Sequence, residues 1–116
     1  PQEPAKVHRR PRQLVSIRFS GGSYPRSWSA GRRAFFTSVA VDDCWPRGVR
    51  PPATNRGVRL TLTVDGTRVT GFRALDNHWP EVSSCIGGRF LDRETGLPEH
   101  DGDVVVSYTF YARRSQ

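Results

Sequence analysis

Apolar and polar side chains alternate along residues 14–20. Val15, Ile17 and Phe19 share one face, and Ser16, Arg18 and Ser20 the other. This is the period-two pattern of a half-buried strand. Gly21-Gly22-Ser23-Tyr24-Pro25 is expected to end it as a loop. The period then lengthens: Phe36, Val39, Ala40 and Cys44 fall on one helical stripe. That spacing predicts a helix over 30–45, with Ser29 as its N-cap and Pro46 as its stop. Arg32 and Arg33 at its start and Asp42 and Asp43 at its end oppose the helix dipole, so it depends on tertiary packing. Pro51-Pro52 opens a loop that runs to Arg56.

Residues 57–75 carry the clearest pattern. Val58, Leu60, Leu62 and Val64 alternate with Arg59, Thr61 and Thr63, Asp65-Gly66 is a turn signal, and "TRVTGFRAL" returns. This predicts an antiparallel hairpin. Asn77-His78-Trp79-Pro80 then opens a helix with Pro near its first turn. Val82, Cys85, Ile86 and Phe90 form its buried stripe, and Gly87-Gly88 is expected to shorten it. A polar loop follows over 92–103. In the last strand, Val104, Val106, Tyr108 and Phe110 oppose Val105, Ser107, Thr109 and Tyr111. The order strand, helix, hairpin, helix, strand predicts an α+β fold, a small antiparallel sheet of three to four strands with two helices on one face.

At 116 residues the chain holds one domain, taken as 14–116, after a Pro- and Arg-bearing arm or linker end at 1–13. No run approaches the ~18 apolar residues of a membrane span. Neither an initiator Met nor a charged-then-apolar leader opens the chain, so Pro1 is expected to follow a processing site or a boundary in a longer precursor. The net charge of +7 lies wholly in residues 1–33, where eight basic residues face one Glu; residues 34–116 hold ten Arg against ten Asp and Glu. The body of the domain therefore has no net field to focus on phosphates. The arm, through Arg9, Arg10 and Arg12, is a candidate for weak contact with an anionic polymer, weighed against a solvated linker.

Cys44 and Cys85 are the only cysteines. They are either two thiols packed as small apolar groups or one bridge. The bridge is preferred, because both fall on two facing helices of a small chain rich in Pro and Gly. It implies an oxidising compartment, periplasmic or secreted. With no His or Cys at metal-ligand spacing, neither a zinc site nor a cofactor is expected. His8 lies in the arm, and His78 and His100 lie on turns.

Phe90-Leu91-Asp92-Arg93-Glu94-Thr95-Gly96-Leu97-Pro98 resembles the F-x-N-R-E-x-x-L-P signature of barnase-type ribonucleases, with Asp92 where that family usually has Asn. The resemblance implies a small basic secreted ribonuclease or nucleic-acid-binding protein. The chemistry needs a base and a His acid on opposite sides of the phosphate, and the family carries these downstream of the signature. Here His100 is the last histidine, so the expectation is no enzyme and no small-molecule substrate.

A longer stretch, about 34–112, resembles the TonB C-terminal-type domain, in the paired-cysteine version found in myxobacterial gliding-motility envelope proteins. The matching features are Cys44 near the end of helix one, Gly57-Val58-Arg59-Leu60 opening the hairpin, and Asp65-Gly66 at its turn. Val82-Ser83-Ser84-Cys85-Ile86 on helix two, Leu97-Pro98, and the V-x-V-x-Y-x-F ending complete the set. The resemblance implies a non-enzymatic periplasmic module that contacts envelope proteins or transmits force, gripping an extended partner peptide by strand addition at a sheet edge. The expected site is the last strand, through its outward residues Val105, Ser107, Thr109 and Tyr111. It would be blocked if the 14–19 strand covered that same edge.

Overall fold

The computed structural model describes residues 14–54, 56–76 and 78–112. The arm with Arg9, Arg10 and Arg12 lies outside them. The first alternating segment becomes strand β1 (Val15–Ser23), with Val15 and Ile17 buried on one face. Its glycines do not end it. After a register shift between Phe19 and Gly21 they carry it on, opposite Ser107 and Val106. A Cβ at Gly22 would overlap the Val105 carbonyl oxygen, so only glycine permits this close approach.

The predicted helix over 30–45 is much shorter. Helix α1 spans Arg32–Ser38, and the chain turns extended at Val39 before a single 3-10 turn at Asp42–Cys44. Several local causes act together. Gly31 supplies no side-chain cap, and the first turn is basic with no acidic residue, which the dipole disfavours. At the other end the Thr37 hydroxyl donates to Arg33 O (2.7 Å) and the Ser38 hydroxyl to Phe35 O (2.6 Å). Ser29, the expected cap, donates instead to Arg26 O and closes the 3-10 turn Arg26–Trp28.

The hairpin forms as predicted from β2 (Gly57–Gly66) and β3 (Arg68–Ala74), with Gly66 at φ +69° in the turn. Helix α2 (Pro80–Phe90) starts with Pro in its first turn, and Glu81 and Arg89 complement its dipole. It passes through Gly87-Gly88 without breaking. The last strand, β4 (His100–Ala112), begins earlier than predicted, inside the expected polar loop.

The sheet order is β1-β4-β2-β3, antiparallel throughout. One face carries α1, α2 and the 3-10 turns, enclosing Trp28, Phe36, Trp45, Ile86, Phe90 and Phe110 in the core. This is the expected α+β class with four strands. The Trp28 indole N–H donates to Pro98 O (2.9 Å) and that of Trp45 to Val49 O (2.9 Å), so both buried indoles are satisfied. Cys44 and Cys85 form a disulfide with Cα atoms 5.6 Å apart. It joins the Asp42–Cys44 turn, rather than a long first helix, to α2.

Candidate functional site

Strand addition needs an edge whose backbone groups face outward. The expected edge does not exist. β4 pairs with β1 from Val105 to Ala112 and with β2 from His100 to Thr109, so its main chain is engaged on both sides. Val105, Ser107 and Thr109 are half-buried in the middle of the sheet, on the face away from the helices, and Tyr111 stands half-exposed opposite Ser16. The expectation that these four residues bind a partner by strand addition is therefore corrected. The extra N-terminal strand occupies the edge they would have offered.

Two other edges remain. Along β3 the chain covers its own first residues. The Val69 N–H donates to Arg93 O (2.9 Å), and Val69 O accepts from the Asp92 N–H (2.8 Å). The Thr95 N–H donates to Thr67 O, and Arg68 pairs with Glu94 at 2.9 Å. The nine-residue segment 90–98 thus serves as a strap on β3. Its Glu94 carboxylate also accepts from the Thr67 hydroxyl, and Asp92 makes the turn at φ +68°.

The outer side of β1 is arranged differently. Ser16 lies opposite Tyr111 and Arg18 opposite Thr109, whereas the Ile17 N–H points away from β4 and donates to Asp42 Oδ1 at 2.8 Å. The two-residue period turns the Phe19 backbone groups the same way. Beside this edge lies a groove of about 350 Å³ between β1, α1 and the 39–42 segment. Ile17, Phe19, Phe36, Val39 and Val41 give it apolar walls. Arg18 and Arg33 stand at it as cations, and Asp42 is the acid that lines it.

The aromatic packing explains why the groove keeps its shape. Phe19 stacks on Phe36 with ring centroids 5.1 Å apart and meets Tyr108 edge-on at 6.2 Å. The Arg33 guanidinium lies 5.7 Å from the Phe19 ring centroid, and Arg32 lies 5.3 Å from that of Tyr24, both within cation–π range. Tyr108 lines the groove, and its buried hydroxyl has no partner among the described residues; the Tyr24 hydroxyl is in the same condition. Burial pushes Tyr24 up to about 12, against the lowering pull of Arg32 and Arg33. Tyr108 is raised further, by burial and by the neighbouring Tyr24.

The far wall is tethered from behind. The disulfide fixes Cys44 to α2, and Arg89 on the same helix donates to Ala40 O (2.9 Å) and pairs with Asp43 (2.9 Å). The Arg89 hydrogen bond holds the Asp43 carboxyl below its ordinary value. Asp42 and Asp43, which the sequence marks only as acids at the end of a predicted helix, therefore have separate contacts, one on β1 and one on α2. The strand at 14–20 was legible; its pairing was not, and Arg33 and Asp42 carried no signal that could have linked them to it. His78 and His100 stand apart from the groove, His100 with its ring 6.0 Å from Trp28.

No family model, no curated protein and no solved structure matches this chain.

Proposed function

We propose that this chain is a non-catalytic, protein-binding domain of the TonB C-terminal kind. In this reading it takes an extended segment of an envelope protein as a fifth strand on the outer edge of β1, and can transmit force along it. The observation that carries this is an edge strand with outward backbone groups beside an apolar groove. Strand addition uses the main chain for affinity and alternate side-chain pockets for selection, and both features are side by side here. The disulfide fits an oxidising compartment, periplasmic or extracellular. Among the described residues, no helix is long and apolar enough to cross a membrane. The resemblance over 34–112 motivates only the kind of module, since the proposed binding edge lies on β1, outside that stretch.

The test is Phe19→Pro. Proline there removes an N–H that faces away from β4, so the β1–β4 ladder keeps its hydrogen bonds. It also removes the ring stacked on Phe36. Phe19→Ala, which loses the ring and keeps the N–H, is therefore made beside it and should bind more tightly than Phe19→Pro. Linear peptides selected from a random library on the wild-type domain should slow amide exchange at Phe19 and fail to bind the variant. Peptides that protect α2 or β3 instead, or that bind Phe19→Pro equally well, would overturn the proposal.

A further inference from the structure

We infer that the segment received at β1 alternates apolar and acidic side chains, an inference that rests on the strand-addition reading above. Successive residues of an added strand point to opposite faces of the sheet. On the helix side they meet the apolar walls of Ile17, Phe19, Phe36, Val39 and Val41, which take aliphatic side chains, with Arg33 and Asp42 as the charged residues of that lining. On the opposite side of the same edge stands Arg18, exposed, with its neighbours Ser16 and Thr109 uncharged. Arg33 closes the groove from α1.

Arg33 lies over the Phe19 ring, which leaves Arg18 as the cation open to an incoming acid. The ion pairs among the described residues use Arg68 and Arg89, and neither Arg18 nor Arg33 pairs with a described carboxylate. The acid in the groove, Asp42, accepts from the Ile17 N–H at 2.8 Å. Its carboxylate stands where the carbonyl of an added strand would sit. It covers the edge against indiscriminate pairing, as inward-aimed charges do on other exposed edges. An incoming strand replaces Asp42 at Ile17 with its own carbonyl, and its acidic side chains, on the face away from the helices, then offset Arg18. Exposed ion pairs contribute little each, so the preference is several-fold rather than of many decades. They also speed encounter in a salt-dependent way.

The experiment uses three peptides of equal length with Val at alternate positions and Glu, Ser or Lys between them. Binding is measured to the wild-type domain and to Arg18→Gln, Arg33→Gln, Asp42→Asn and Phe19→Pro. The expected order is Glu above Ser above Lys, with about five-fold between the first two at low salt. That gap should shrink in Arg18→Gln and in high salt, and persist in Arg33→Gln, whose side chain lies on the helix side. Asp42→Asn should tighten all three peptides, since the edge is then less strongly covered. Equal binding of the three peptides, with the Phe19 amide protected, overturns the acidic preference and leaves strand addition standing. Binding of the Glu peptide that survives Phe19→Pro shows adsorption to the arginines without strand pairing and overturns both. If none of the three binds, both are likewise overturned.

Discussion

Gly87 and Gly88 occupy consecutive positions of α2 and face different surroundings. A Cβ at Gly87 would collide with the Phe72 ring of β3, whereas one at Gly88 would meet nothing within 4 Å. The two substitutions should therefore differ in sign. Gly88→Ala gains the ordinary helix-propensity difference, about 0.8–1 kcal/mol. Gly87→Ala gains the same amount and loses about 1–3 kcal/mol to overpacking, because Phe72 is wedged between the hairpin and the helix. Urea denaturation of the two variants is the check: a higher midpoint for Gly88→Ala and a lower one for Gly87→Ala. From sequence the pair reads only as a helix weakener, since nothing local tells that one glycine faces an aromatic ring of another element. Asp42 teaches the same lesson. Its acidity is visible in the chain, but the backbone N–H it accepts from lies 25 residues away.

At the scale of elements, what local periodicity can encode was legible and what depends on distant neighbours was not. The hairpin, α2 and β1 follow from alternation or from helical spacing, and all three form. The sequence overstates the 30–45 helix because Phe36, Val39 and Cys44 are buried whether or not the chain between them is helical, and Ala40 on the same stripe is exposed. In the structure Val39 and Cys44 reach the core from an extended segment and a 3-10 turn. Strand order was equally out of reach, since no local signal says that the first strand rather than solvent lies beside the last. The short turn at Asp42–Cys44 is held by the disulfide together with Arg89, which contacts Ala40 O and Asp43, and the Ile17 N–H on Asp42. Replacing both cysteines by Ala releases a loop of 41 residues in the unfolded chain and should lower stability by about 2–4 kcal/mol. The more specific outcome is local. Amide exchange should accelerate over 40–44 and at Ile17, whose N–H depends on Asp42, more than in the β2–β3 hairpin. Uniform acceleration would mean that the bridge supports the whole fold and has no particular hold on the groove wall.

Across the whole molecule, the order β1-β4-β2-β3 puts the most apolar strand at the centre and the groove at one end of the core. The core near that groove holds two phenols, Tyr24 and Tyr108, buried without hydrogen-bond partners among the described residues. Both favour the protonated state in the folded protein, Tyr24 up to about 12 and Tyr108 higher still, mainly through burial. A folded-state value above the unfolded one of 10.0 means that the native state holds its proton more tightly. The stability this contributes is fully present below pH 10 and is lost as pH rises through the folded values. The domain should therefore unfold cooperatively in alkali, starting between pH 10 and pH 12. Tyrosinate absorbance from these two residues should appear together with loss of the near-ultraviolet circular dichroism of the core aromatics. Tyr108→Phe keeps the ring against Phe19 and removes an unpaired buried hydroxyl, whose burial costs about 1–3 kcal/mol. It should raise the denaturation midpoint at neutral pH and move the alkaline transition upward. If Tyr24 and Tyr108 ionise near pH 10 while the core signal stays intact, water reaches both phenols in the native state. The groove that Tyr108 lines would then be open to solvent down to its hydroxyl.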